Sequence, residues 1–534
     1  MSRFNSASFR LTSVAVAIIS STSTAYGFNI DTGNSDFRLS LNNSVKYSTA
    51  FRLEDASPGL TSDPNQDDGN NNFDKGLVSN RLDLFSEIDA SYKDIGFRIS
   101  GAAWYDDVYN GSTDNTTSTS NHSPASEFSD NTTKIMGNDA ELLDAFVYGY
   151  FPVMNGMEGT VRLGRHSLLW GESLFFGANG IAGGQAPNDV VKLLSVPNST
   201  FKEVVRPTGK LSVDIPVSDE VTIGAYYGYE WEASRIPPAG AYLSSGDAIG
   251  SSSLLGPFNT TITKISDEEA SDTGQYGLQV RWTDDDLDAD FGLYAIRYNA
   301  YGASNLYTYL DSTTHLPTQY KFAYAEGIEA YGASMAKSVG VWSLASEISY
   351  RKNAPLESNG AVITSGGTQY DNNDNPGYAV GETAHAQISW LAGFGPTFIS
   401  DEASFAGEIA WNTRVKTTKN ESFLNENADR SAVGVRMTYS PTYRQAFDGV
   451  DLTPSVGIGH TWGKSSAVSA FGVDGGGDVN IGVKAVYLDR WNMSLSYTKF
   501  LGEEGNYLDS SNHTQYKQSL KDRDFLAASI NTTF

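Results

Sequence analysis

In the stretch Gln275-Tyr276-Gly277-Leu278-Gln279-Val280-Arg281-Trp282, the apolar residues Tyr276, Leu278, Val280 and Trp282 alternate with Gln275, Gly277, Gln279 and Arg281. A period of two sends the two sets to opposite faces of a β-strand. Working outward, Trp342, Leu344, Ile348 and Tyr350 interleave with Ser343, Glu347 and Arg351. The same alternation runs through Val221 to Trp231, Leu452 to Trp462, and Val479 to Tyr487. No segment sustains a helical period, so the chain reads as all-β.

About 18 such segments can be counted, most of roughly 9 to 14 residues, the length a tilted membrane-spanning strand needs. Their connections alternate strictly. Short turns (Lys93 to Ile95, Val217 to Glu220, Thr283 to Leu287, Ser338 to Val341, Leu488 to Arg490) separate long polar loops at 55–76, 107–137, 168–206, 233–273, 301–323, 353–378, 416–430, 464–478 and 501–522. In an antiparallel meander that parity puts every long loop at one end, as in an up-and-down transmembrane β-barrel with periplasmic turns and extracellular loops. Sandwiches and propellers do not generate it. Both termini are then expected on the periplasmic side. Trp104, Tyr105, Tyr150, Phe151, Tyr229, Trp231, Trp411, Tyr439, Trp462 and Trp491 near strand ends read as interfacial girdles.

Composition agrees. The 534 residues carry a formal charge of −26, which argues against a nucleic-acid partner. Cysteine is absent, so backbone pairing and packing must supply the stability. Arg3 and Arg10, the apolar run Leu11 to Ile19 and the small residues Ser20 to Gly27 form a Sec signal peptide pattern over residues 1–27, leaving 28–534 as the barrel. At the other end, Leu526, Ala528, Ile530 and Thr532 share one face and the chain stops at Phe534. A terminal aromatic after such alternation resembles the signal that hands bacterial outer-membrane proteins to the barrel-assembly machinery. The expected location is the bacterial outer membrane, in contact with lipid and lipopolysaccharide.

Catalytic motifs are missing: the sequence holds no Gly-x-Ser-x-Gly, His-Glu-x-x-His, phosphate-binding loop or dinucleotide turn. The histidines (His122, His166, His315, His385, His460, His513) are scattered, and no cofactor or metal is expected. Asp63, Asn65, Asp67 and Asp74 fall at positions 1, 3, 5 and 12 of a calcium-loop spacing, but Asp68 stands where glycine is needed. A solvated acidic loop explains them better.

One long loop differs from the rest. Gly164-Arg165-His166-Ser167-Leu168-Leu169-Trp170-Gly171-Glu172-Ser173-Leu174-Phe175-Phe176-Gly177 leads to Pro187-Asn188-Asp189-Val190-Val191-Lys192-Leu193-Leu194 and Lys202-Glu203. Left in water, Trp170, Phe175, Phe176, Ile181, Leu193 and Leu194 would form an exposed apolar patch, so residues 168–206 are expected to fold into the lumen as a constriction or plug. Asn188 is placed to cap a short helix at Asp189 to Leu194. The charged residues Arg165, Glu172, Asp189, Lys192, Lys202 and Glu203 need partners there, and pairing of Arg165 with Glu172 and of Lys202 or Lys192 with Asp189 is the local expectation. His166 joins this constriction set. Polar inward positions Arg81, Glu87, Arg162, Gln279, Arg281, Glu347, Arg351, Glu408 and Arg414 would line the wall.

The run G-R-x-x-x-x-W-G-E-S-x-F-F, a Gly-rich turn, P-x-D-V-x-K-L and K-E resembles the signature of the domain of unknown function 1302 family of Gram-negative outer-membrane proteins. The resemblance spans nearly the whole mature chain, including Phe28-Asn29-Ile30 and Phe37-Arg38-Leu39-Ser40. It departs at His166, where Gln is usual, and at Ala182 to Ala186, where an Asn-Pro stretch is customary. The resemblance implies an outer-membrane barrel, a periplasmic or lipoprotein partner, an inner-membrane transporter, and trafficking of hydrophobic or amphipathic molecules. Transport by a channel is therefore the favoured function. The alternatives are a surface hydrolase and a structural or adhesive barrel.

Overall fold

The computed structural model describes residues 28–117 and 125–534, so the signal-peptide reading of 1–27 lies outside the described residues. Eighteen long strands form one closed antiparallel ring. They are β1 Phe37–Arg52, β2 Gly76–Tyr92, β3 Ile95–Asp106, β4 Asn138–Pro152, β5 Glu158–His166, β6 Thr208–Pro216, β7 Val221–Gly228, β8 Gln275–Asp284 and β9 Ala289–Tyr298. The ring continues with β10 Ile328–Val339, β11 Trp342–Pro355, β12 Val380–Phe394, β13 Glu402–Lys419, β14 Ser431–Phe447, β15 Val450–Trp462, β16 Gly476–Tyr487, β17 Trp491–Leu501 and β18 Phe525–Thr533. Each pairs with its sequence neighbours, and β18 closes on β1 with Ser44 opposite Thr533 and Arg52 opposite Phe525. Phe534 exchanges two backbone hydrogen bonds of 2.8 Å with Asn43, and Phe28–Ile30 takes up the same edge of β1 further along, at Leu39 to Leu41. No edge is left for water to satisfy, the condition a strand must meet in hydrocarbon.

The ring is polar inside and apolar outside. On β11, Glu347 is 2% exposed while Ile348 beside it is 62% exposed. Around the outside, Leu84, Ile99, Leu163, Leu278, Leu293, Ile388, Ile409, Ile481 and Leu495 are likewise exposed. A water-soluble barrel would reverse this, whereas a lipid-facing one requires it. Tyr105, Tyr150, Tyr229, Trp411, Tyr439, Trp462 and Trp491 are exposed as a girdle demands, but Trp104 and Trp231 are buried. The strand's own alternation explains the first correction: with Tyr105 pointing outward, Trp104 must point in. Trp231 lies beyond the end of β7 and packs with Ala270 and Tyr301 in the loops.

The long loops carry structure of their own. Segments Ala361–Ile363, Asn305–Leu310, Pro317–Ala323, Thr261–Lys264 and Ser253–Leu255 make a second, five-stranded sheet from three different loops. Tyr307 and Tyr320 are wholly buried in it. Among the described residues no helix is long and apolar enough to cross a membrane.

Candidate functional site in the lumen

The residues linking β5 to β6 run through the barrel interior and touch strands from β1 to β4, from β7 to β13, and β17 and β18. Just before them, His166 is fixed, its Nε2 2.8 Å from Ser212 Oγ and its Nδ1 3.0 Å from the Gly164 carbonyl oxygen. Trp170 then packs its ring 5.1 Å from Tyr226 and 6.4 Å from Tyr294. Both tyrosines are inward-facing wall residues, so the indole leaves water against the barrel wall, in a cluster that also holds Ile181 and Leu168.

The next ten residues are gripped through their backbone. Glu347 accepts from the Glu172 N–H at 2.8 Å and from the Ile181 N–H at 2.7 Å. Glu408 accepts from the Phe176 N–H at 2.7 Å and also from the Phe175 N–H. Arg351 Nη2 donates to the carbonyl oxygens of Ala178, Asn179 and Gly180 at 2.9 to 3.0 Å. Irregular backbone inside a barrel has no ladder partners of its own, and here three wall side chains replace them. Glycine permits the approach. A Cβ on Gly180 would lie 2.7 Å from Gln387 Nε2 and 2.8 Å from Glu347 Oε1, and one on Gly171, held at φ +94°, would collide with the Glu347 carboxylate. Phe176 stacks on Phe471 of a neighbouring loop, with ring centroids 5.3 Å apart. Phe175 remains half-buried.

The second half of the loop is held by ion pairs. The helix is Val190–Ser195 and its cap is Asp189, whose Oδ1 accepts from the Lys192 N–H at 2.9 Å; the cap expected at Asn188 sits one residue too early. Asn188 instead bridges to Val205. The expected local ion pairs are not formed. Arg165 binds Glu230 and Glu232, while Asp189 takes Arg235 at 2.8 Å. Lys192 takes Glu141 at 2.8 Å, and Lys202 takes Glu87 at 2.9 Å. Glu203 pairs with Lys46 at 3.1 Å. Glu141 is shared further by Arg206 and Arg235. Trp104 lies among these cations, with Arg81, Lys192 and Arg235 at 5.2 to 5.3 Å from its ring. Its indole N–H donates to the Ile135 carbonyl oxygen.

Glu172 is the exception. One of its carboxylate oxygens is buried with no hydrogen-bond partner. Burial pushes its carboxyl up to about 7, with Arg281 opposing and Glu347 and Asp290 reinforcing the shift.

Of the wall positions read from the sequence, Arg81, Glu87, Gln279, Glu347, Arg351 and Glu408 are inward and buried. Arg162 and Arg414 are half-buried, and Arg281 remains open to solvent on the same face of β8 as Gln279. Sequence reasoning missed Glu141, Lys46 and Arg235, which gather the loop's charges. Each is a single charge on an alternating strand or in a long loop, with nothing local to set it apart.

Two further features lie among the long loops. A cavity of about 930 Å³ is lined by Phe128, Ile135, Ile249, Lys264 and Phe322, together with Arg235, the partner of the helix cap Asp189. Asp67, Asp68 and Asp247 lie together, buried, and Asp247 accepts from the backbone N–H groups of the other two at 3.0 and 3.3 Å. The calcium-type spacing does not close into a loop. Asp63 holds Asn65 and Gln66, while the backbone N–H of Asp74 donates to Asp114.

A family model described as "Protein of unknown function (DUF1302)" matches residues 7–534. No curated protein matches. Among solved structures, a BenF-like porin from Pseudomonas fluorescens Pf-5 aligns at 8% identity over 93% of this chain and 98% of its own, with a TM-score of 0.43. OccAB1 of Acinetobacter baumannii aligns at 12% identity over 96% and 98%, with a TM-score of 0.44. The outer membrane channel DcaP of Acinetobacter baumannii aligns at 8% over 95% and 99%, with a TM-score of 0.39. Scores this low add nothing to what the strand pairing already establishes.

Proposed function

The chain belongs to the DUF1302 family of proteins of unknown function, and from that premise we propose that it is an outer-membrane channel narrowed by the loop 168–206. The observation that carries this reading is the grip of Glu347, Arg351 and Glu408 on the backbone of residues 172–181. A loop tethered by the wall of a polar lumen controls what passes through it. The apolar exterior belongs in a bilayer, with the long acidic loops facing the medium and the termini in the periplasm.

The reading favours solutes that cross in water over a hydrophobic or amphipathic cargo. Most of the side chains that recommended an apolar slide are engaged elsewhere: Trp170 and Ile181 are buried and Phe176 is stacked on Phe471, while Phe175 is half-buried. Only Leu193 and Leu194 of that set are exposed. Deleting residues 173–195 tests the proposal. In planar bilayers the deletion variant should conduct several-fold more than the parent while still assembling as a barrel. Unchanged conductance from an assembled variant would remove the loop from the gate.

A further inference from the structure

The outer face of the barrel stops being apolar where β9 to β13 meet the long loops. The outward positions there are charged, and the register sets them side by side: Arg297 faces Glu329, Glu329 faces Lys352, and Glu382 faces Lys416. Lys352 lies in the irregular stretch between Arg351, opposite Thr383, and Ala354, opposite Gly381, which brings it level with Glu382. Both carboxylates of this row are engaged. Glu382 binds Lys416 at 3.1 Å and accepts from the Tyr350 hydroxyl, and Glu329 accepts from the Tyr331 hydroxyl at 3.0 Å. Lys352 is exposed, its Nζ 5.7 Å from the centre of the Tyr331 ring, and among the described residues it has no carboxylate in ion-pair contact. Arg430, just before β14, is exposed as well, and its guanidinium donates only to the carbonyl oxygens of Arg414 and Val415 on the edge of β13. Cations at strand ends on the other side of the ring are matched: Lys75 before β2 by Asp55, Arg165 on β5 by Glu230 and Glu232, and Lys499 on β17 by Asp524 and Glu54.

In a chain of charge −26, a sector of the outer rim with cations in excess needs an anionic partner. Its height says which kind. Tyr331 and Trp411 are exposed on the same outward face, nearer the middle of their strands, at the level where aromatic side chains meet lipid headgroups. Cations one step beyond that girdle reach the headgroups themselves. We propose that this rim of β11 to β13 docks the phosphorylated disaccharide of a lipopolysaccharide molecule, with Lys352, Lys416 and Arg430 as its phosphate-binding groups. The proposal rests on the outer-membrane placement above and adds a lipid partner to it. Lys416 spends one of its three donors on Glu382, and Arg430 keeps Nη1 for a ligand, so each can take a phosphate oxygen without giving up its present contact. Spacing selects the glycolipid over a phospholipid. From Lys352 on β11 to Arg430 beyond the edge of β13 is two to three strand spacings, roughly 10–14 Å. One phosphate cannot bridge that gap, whereas a disaccharide with a phosphate at each end spans it.

The test uses the full barrel refolded in detergent, with lipid A carrying both phosphates, lipid A stripped of phosphate, and phosphatidylglycerol as probes, and native mass spectrometry to measure what stays bound. The parent should retain the diphosphorylated lipid A in preference to both of the others. K352E and R430Q should each weaken that binding about tenfold, the loss of one charge-assisted contact, while K75E on the far side of the ring leaves it unchanged. Contact between cation and phosphate needs no divalent ion, so binding should survive EDTA. Lys352 is exposed and engaged by no carboxylate, so K352E keeps the fold whatever R430Q does, and a heat-shifted gel band verifies assembly of each variant. Equal retention of phosphatidylglycerol overturns the glycolipid and leaves a general anionic-lipid surface. Equal weakening in K75E, or none in K352E, removes the site from this row, and loss of binding in EDTA reassigns it to a divalent bridge on the carboxylates. A parent that stays soluble without detergent and shows no heat-shifted band is failure of the membrane reading itself, and the docking site falls with it.

Discussion

At the scale of single residues, the plug is balanced by Glu172 and the glycines around it. Raising a carboxyl from its ordinary 4.5 to about 7 corresponds to about 3 kcal/mol favouring the neutral form in the docked loop. The sign follows. Because the docked value lies above the free one, docking is most favourable at acid pH and loses that advantage as pH rises through about 7. Single-channel conductance should therefore increase from pH 5 to pH 8, and E172Q should hold it low and flat across that range. A pH response that persists unchanged in E172Q would assign it to another group. G171A and G180V test seating from the other side. Overpacking of this kind typically costs about 1–3 kcal/mol, so both should raise conductance without unfolding the barrel. Ser212 and His166 form a contact that resembles a nucleophile and its base. Both side chains are buried, so a serine-reactive fluorophosphonate should leave the purified protein unlabelled. Stoichiometric labelling of one serine would instead favour the hydrolase alternative.

At the scale of elements, strands were legible and loop architecture was not, for a physical reason. Alternation is written into each strand separately, so Leu278 and Gln279, or Ile348 and Glu347, declare their faces without reference to any partner. The inward course of the loop 168–206 follows from the energetic cost of exposing Trp170 and its neighbours, whereas its ion pairs reach beyond the loop's own sequence, where no local pattern points. Arg165 finds Glu230 at the end of β7, two strands along the sheet, and Lys192 finds Glu141 on β4, both outside the loop's own sequence. The loop sheet was illegible for a related reason. Its strands are short, and Thr263 pairs in parallel with Gln319 from another loop, a contact no periodicity announces. The element that Trp170 anchors can be weakened alone. Truncating a buried tryptophan typically costs about 3–5 kcal/mol, so W170A should free the first half of the plug and raise its protease sensitivity while strand content by circular dichroism stays constant. Loss of strand signal in W170A would mean that the plug is required for the barrel itself.

At the scale of the whole molecule, stability is the closure of one ring. Every strand of the ring is bound on both edges, and the last pairing to form in sequence order, β18 on β1, joins residues nearly five hundred positions apart through nine facing pairs from Ser44 and Thr533 to Arg52 and Phe525. Such non-local closure is slow to reach, and once reached it is lost only when the whole ladder opens. A closed barrel held this way should stay folded in mild detergent, and boiling should shift its migration on a denaturing gel. Phe534 sits at the lip of that closure with both its backbone groups bonded to Asn43. Removing Phe534 alone deletes two ladder hydrogen bonds and leaves the nine pairs, so the refolded variant should show the same heat-shifted band in reduced yield. Removing residues 525–534 deletes the closing strand, exposes unpaired edges of β1 and β17, and should abolish the shift. If the larger deletion keeps the heat-shifted band, the ring closes without β18 and the stability resides elsewhere.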